Sequence, residues 1–231
     1  MEDGPDVAVA LPSGVADRSR AWDFVRWFAD NRTGRPLRAE DGRPLEELAA
    51  AEADLGCRLP ASLREGYGLF GRRDDLTRQQ DPLVPPTGLH VGDALGGVLV
   101  LRRENRDCAS WAIPLDRIGE DDPPVVVGSH RGWIPFLDRM SRAWVELVLS
   151  ESLFEAGDLY DACELPGALV PGLRRRYARV GLPDHPVWAS DVDSPARRYA
   201  APGRLLRRDG LENRCRMHAR PHDCRSPRCP R

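Results

Sequence analysis

Residues 97–115 read GVLVLRRENRDCASWAIPL, and the class of fold turns on this stretch. Its two apolar runs, Gly97 to Arg102 and Trp111 to Leu115, are rich in β-branched and aromatic residues and flank a polar, turn-forming segment. That pattern predicts two paired strands. Just downstream, Pro124-Val125-Val126-Val127 forms a third such run bounded by turn residues, and the links are short enough for an antiparallel meander. Upstream the apolar period lengthens to that of a helix. Pro44 suits a first helical turn, and Leu45, Leu48, Ala49 and Leu55 recur until Gly56 stops the run. After Gly56-Cys57-Arg58-Leu59, a second helix starts at Pro60 and carries Leu63, Tyr67, Leu69 and Phe70 up to Gly71.

Outside this core the same reasoning places a helix over Arg20 to Asn31, with Trp22, Val25, Trp27 and Phe28 on one side. Ser141 reads as the cap of a later helix that carries Trp144, Leu147, Val148 and the Leu153-Phe154 pair. The predicted class is α+β: N-terminal helices, then a predominantly antiparallel sheet, with further helices packed on it. Arg72 to Pro86, polar and then proline-rich, reads as a long exposed loop. Beyond Glu155, Leu165 to Val180 reads as a helix interrupted by Pro171, with short strands at Val187 to Ala189 and Arg204 to Arg207. The organisation expected is a flexible leader over 1–20, one elaborated domain with a C-terminal extension over 21–210, and an Arg/Cys/His-rich disordered tail over 211–231. Arg204-Leu205-Leu206-Arg207 followed by Asp209-Gly210 looks like the first strand and turn of a hairpin whose returning strand is missing from Glu212 to Arg231.

Charge narrows the function classes. The chain has 231 residues and a formal charge of -2, and all 34 of its cationic side chains are arginine. From Arg214 onward there are 6 arginines and a single acid, Asp223, so the remainder holds 28 arginines against 35 acids. An acidic body disfavours general nucleic-acid binding. No apolar run reaches eighteen residues, and the N-terminus is acidic where a signal peptide is basic, so membrane insertion is not expected and a cytoplasmic location with reduced thiols is.

The order of motifs resembles the SUKH superfamily, which includes fungal cell-wall-synthesis regulators and bacterial immunity proteins of polymorphic toxin systems. The first block is Glu52, Leu55, Gly56, Leu59, Pro60, Leu63 and Arg64, similar to the family's helix, glycine stop and Leu-Pro restart. The second is the strand Val98 to Arg102 running into Glu104-Asn105 and the aromatic strand at Trp111, followed by Asp122-Pro123-Pro124-Val125, Trp133 and the helix at Ser141. Arg106 departs from the glutamine common in related sequences. The resemblance spans roughly Trp22 to Phe154 and implies a non-catalytic protein-binding domain, with an immunity protein neutralising a cognate toxin as one form of it. It places partner contacts at Glu104, Asn105, Arg131 and Trp133. Glu104 and Asn105 read equally well as residues that satisfy backbone groups in a turn.

No cofactor is expected, and no catalytic motif stands out: there is no Gly-x-Ser-x-Gly elbow, phosphate-binding glycine loop or His-Glu-x-x-His helix. His90, His130 and His185 are isolated, and Glu46-Glu47 and Asp121-Asp122 are adjacent pairs that read as solvated faces. The metal-like run is Cys215, His218, His222, Cys224 and Cys229, zinc-type ligands at irregular spacing with little apolar support, so a disordered tail is the stronger reading. A regulatory or scaffold protein, and a hydrolase with an unrecognised site, are the alternatives to immunity. The partner's identity and the oligomeric state lie beyond the sequence.

Overall fold

The computed structural model describes residues 4–130, 132–154, 160–189, 195–209 and, for the backbone, 214–218. The chain divides into a central unit, Val15–Ser152, and a flanking unit formed by Met1–Gly14 with Leu153–Arg231. It is an α+β protein, with helices ahead of an antiparallel sheet.

In the flanking unit, Asp6 caps a short helix α1 (Val7–Ala10) by accepting the Ala8 N–H at 2.9 Å. In the central unit, α2 (Arg18–Asn31) is capped by Asp17 and buries Trp22, Phe24, Val25 and Phe28. α3 (Leu45–Leu55) ends at Gly56, whose φ of 67° is the left-handed turn that glycine adopts without penalty. α4 (Ala61–Phe70) lies against α6 (Met140–Phe154): the Trp144 indole donates to the Ser62 carbonyl at 3.0 Å, and its ring meets Tyr67 and Phe70 edge-on. A Cβ on Gly66 would stand 2.2 Å from that indole, so only glycine admits this approach. A short helix α5 (Asp74–Thr77) lies between α4 and the sheet.

The central sheet is a meander in the order β1 (His90–Gly92), β2 (Val98–Arg103), β3 (Ala109–Pro114), β4 (Val125–Ser129) and β5 (Gly132–Leu137), every pairing antiparallel. Val98, Val100, Ala112 and Val126 form an apolar cluster on one face, with Ala94 and Trp133 packed against it. On the other register, Leu99, Ile113, Trp111 and Val127 are buried as well. This explains why the strands read as continuous apolar runs rather than alternating ones.

The flanking unit continues with β6 (Tyr160–Glu164), α7 (Val170–Arg176), β7 (Ala178–Arg179), β8 (Arg197–Ala201), β9 (Arg204–Arg208) and β10 (Arg214–His218), its antiparallel sheet ordered β6-β10-β9-β8-β7. Leu173 of α7 packs on Tyr199 and Leu206.

Several expectations are corrected. The leader is not loose: Val7 and Leu11 are fully buried, and Gly14 and Gly181 approach so closely that a Cβ on Gly14 would lie 2.4 Å from the Gly181 carbonyl oxygen. The chain divides at Leu153 between the expected domain and its C-terminal extension, and residues 4–14 associate with that C-terminal segment. Arg72 to Pro86 is not an exposed loop, since Arg73, Asp75, Leu76, Thr77, Leu83 and Val84 are all buried. Val187 to Ala189 is no strand. The strand that follows is β8, at Arg197–Ala201. Part of the supposed disordered tail is β10, which pairs with both β9 and β6 and supplies the hairpin's returning strand. Its signal was present: Cys215 and Met217 alternate with Arg214, Arg216 and His218. Residues 219–231 lie outside the described residues.

Candidate functional site

The sheet and α6 enclose an ionic centre. A register shift between Val100 and Arg102 turns Arg102 toward α6, where its Nη1 meets Glu146 at 3.1 Å and its Nη2 meets Glu151 at 2.6 Å. Its Nε donates to the Asp81 carbonyl at 3.0 Å, the Asp81 carboxylate lies 3.6 Å away, and the guanidinium sits 4.5 Å above the Trp111 ring centre. Burial alone would lower the Arg102 pKa, but Glu151, Glu146 and Asp81 together hold it above its ordinary value. Glu151 also accepts the Gln80 N–H at 2.6 Å and the Asp81 N–H at 3.2 Å, and Glu146 accepts the Ser150 hydroxyl one turn on. With Arg102 and Glu146 each 3% exposed and Glu151 at 0%, the carboxylates are sealed from substrate. Their chemistry is to fasten the 80–84 strap to α6 and to β2, where Leu83 bridges Arg102 and the Val84 N–H reaches the Leu101 carbonyl.

A second buried cation, Arg73, secures the start of this strap. It holds Asp75 through two 2.7 Å bonds, reaches Asp41 at 3.4 Å and donates to the Arg35 carbonyl at 2.9 Å. Burial raises the Asp75 pKa, but bonding to Arg73 outweighs it, so the carboxyl stays below its usual range. Arg102, Glu146, Glu151 and Asp81 went unassigned from sequence. The available hints were an arginine closing an apolar strand and a Glu146/Ser150 pair at i,i+4 within the apolar stretch of a helix.

The motif residues behind the family resemblance have structural duties. Glu52 accepts the Leu59 N–H at 2.8 Å and binds Arg64 through both carboxylate oxygens at 2.6 Å, tying the end of α3 to the start of α4. Burial works to raise the Glu52 pKa, and Arg64 with the Leu59 N–H depresses it further than burial raises it. Asp122, expected on a solvated face, accepts the Ser141 N–H at 2.8 Å and its hydroxyl at 2.6 Å. Ser141 is therefore inside the first turn of α6 rather than its cap, and Asp122 places a negative charge at the helix start.

Of the predicted partner residues, Glu104 is buried and accepts the N–H groups of Arg106 and Cys108 at 2.8 and 3.2 Å, so it staples the β2–β3 turn. Asn105 is exposed on that turn. Trp133 is half-buried opposite Gly128, where a Cβ would come within 2.5 Å of its ring. Arg131 lies outside the described residues. Ala109 pairs with Ser129, and Ser129 with Gly132, so the β2–β3 and β4–β5 turns emerge from the same end of the sheet. The topology thus brings the Asn105 turn and the Trp133 hairpin to one end of the sheet, with Glu104 holding the first of them.

Cys215 and His218 occupy β10, opposite Cys163 and Tyr160. Their separation of three residues gives them opposite parity in the strand. His222, Cys224 and Cys229 lie outside the described residues. Among the described residues no group of three or more His, Cys, Asp or Glu is placed to hold a metal ion, and no helix is long and apolar enough to cross a membrane.

Compared with known proteins, the chain matches no family model, no curated protein and no solved structure.

Proposed function

We propose that the protein acts by binding another protein, as an immunity-type partner that neutralises a basic toxin of the cytoplasm. The observation that carries this reading is the pairing of the Asn105 turn and the Trp133 hairpin at one end of a rigid meander, because recognition residues are best held on loops fixed by a scaffold. The Glu104 staple and the Trp133–Gly128 contact supply that rigidity. Charge supports it: between Val15 and Ser152 there are 23 acids and 19 arginines, an excess that speeds encounter with a cationic partner. The sealing of Arg102, Glu146 and Glu151 favours a binding role over catalysis, since these carboxylates serve the fold.

The test is co-expression with each toxin encoded beside the gene. Protection of the host, a stoichiometric complex on gel filtration, and loss of both in Trp133→Glu and Asn105→Arg variants that retain native circular dichroism are expected. Protection without a complex, or turnover of a small substrate abolished by a few polar substitutions, would refute binding as the mechanism.

A further inference from the structure

The flanking unit has a charge character of its own. Over its described residues from 160 to 218, arginine outnumbers Asp and Glu by eleven to four. Part of that excess lines one cleft of about 480 Å³, bordered by Arg174, Tyr177, Arg179, Asp184, Arg197 and Tyr199. Three arginines and a single carboxylate line it.

Asp184 is shared. One oxygen accepts from Arg179, the other lies 2.7 Å from the Arg197 Nε. Arg179 is further located by a 3.3 Å bond from its Nη1 to the Arg198 carbonyl and by stacking at 5.3 Å over the Tyr199 ring centre. Two of the three cations are thus pre-positioned by groups that leave donors to spare, since the Arg197 terminal nitrogens make no hydrogen bond among the described residues. Arg174, exposed at the end of α7, has neither hydrogen bond nor ion pair among them. A helix C-terminus favours cations in its last turn, and this accounts for Arg174, Arg175 and Arg176 as a group. It does not account for Arg197 and Arg179 converging from β8 and β7 on the same hollow.

We propose that this cleft is a binding site for the dianionic phosphate group of a small phosphomonoester. The lining carries a surplus of two positive charges once Asp184 is counted, which such a dianion neutralises, and planar guanidinium forks match phosphate oxygens two at a time. The cleft is larger than a phosphate group requires, and the half-buried Tyr177 offers an apolar wall to the group that carries it. Asp184 both organises the arginines and competes with the ligand for them.

Isothermal titration of the full chain with phenyl phosphate, inorganic phosphate and phenylacetate tests this. Saturable binding in the order phenyl phosphate, then phosphate, then phenylacetate is expected. Arg174→Ala and Arg197→Ala should each weaken phenyl phosphate about tenfold, the loss of one charged hydrogen-bonding group. Arg175→Ala, a neighbour on α7 that does not line the cleft, should leave binding unchanged, and Asp184→Asn should strengthen it. Circular dichroism of each variant reports whether it folds. Absence of saturable phosphate binding would overturn the proposal. So would phenylacetate binding as tightly as phenyl phosphate, or equal effects of the Arg174 and Arg175 substitutions, which would reduce the cleft to diffuse surface charge.

Discussion

Replacing Arg102 by methionine keeps most of the side chain's volume and removes the cation that Glu146 and Glu151 share. Both carboxylates are then left buried beside an apolar group, a situation that costs about 3–5 kcal/mol when a buried pair loses one member. The contact over Trp111 adds about 1 kcal/mol. Against a typical domain stability of about 5–15 kcal/mol, the central unit should become marginal at neutral pH. Urea denaturation followed by tryptophan fluorescence suits the measurement, because five of the six tryptophans lie between Val15 and Ser152. Circular dichroism serves as the control, since Trp111 lies under the altered residue. The companion variant Arg102→Met with Glu146→Gln and Glu151→Gln should recover part of the loss. Each glutamine keeps a carbonyl acceptor for Ser150 or for the Gln80 and Asp81 N–H groups without stranding a charge. A loss below about 1 kcal/mol for the single variant, or a companion less stable than it, would show that the carboxylates find water and that the sealed centre does not govern stability.

Gly66→Ala should destabilise the central unit by about 1–3 kcal/mol or more, because the added carbon would overlap the fully buried Trp144 ring; an unchanged urea midpoint would contradict the α4–α6 contact. Tyr67 is fully buried, its pKa is pushed up by that burial, and its hydroxyl donates to the Val84 carbonyl at 2.5 Å, so Tyr67→Phe should cost about 1–3 kcal/mol by orphaning that acceptor. Hydrogen exchange should show the loosening concentrated in the strap around Leu83 and Val84. Glu52→Gln should cost about 1–2 kcal/mol at pH 7. The sign follows from the depressed native pKa: the contribution is fully present above the unfolded value of about 4.3 and vanishes as pH falls through the lower native one. The gap between parent and variant should therefore narrow as the pH is lowered from 7 toward 3. A gap that stays constant from pH 7 to pH 3 would contradict the Glu52–Arg64 reading.

The α+β class was legible because local periodicity carries it. Leu45, Leu48 and Leu55 recur at helical spacing and end at Gly56, and Val98 to Leu101 with Trp111 to Ile113 are apolar on both faces, as fully covered strands must be. The 72–86 strap was misread because Arg73, Asp75 and Asp81 are polar in sequence, and polarity implies exposure until a partner is known. Arg73 and Asp75 hold each other, but what buries the segment lies far off in the chain: Asp41 and Arg35 for that pair, Arg102 and Glu151 for Asp81. The pairing of Cys215 with Cys163 and the burial of Val7 and Leu11 in the flanking unit also join distant segments.

The candidate sites divide in the same way. Asn105 and Trp133 could be picked from the order of motifs, but that their turns share one end of the sheet follows only from the β3–β4 register. The Arg174, Arg179 and Arg197 cleft was invisible in an arginine-rich sequence, where no local pattern distinguishes a converging arginine from a solvated one. By itself the sequence determined α2, α3, α4 and α6 and the strands β2, β3 and β4 of the central unit, and left α5, β1 and β5 unread, since backbone preference and apolar period act over a few neighbouring residues and show only in longer segments. Only the tertiary structure decided which charges are buried, which segments form each unit and which side chains meet, because those depend on contacts whose partners lie far apart along the chain.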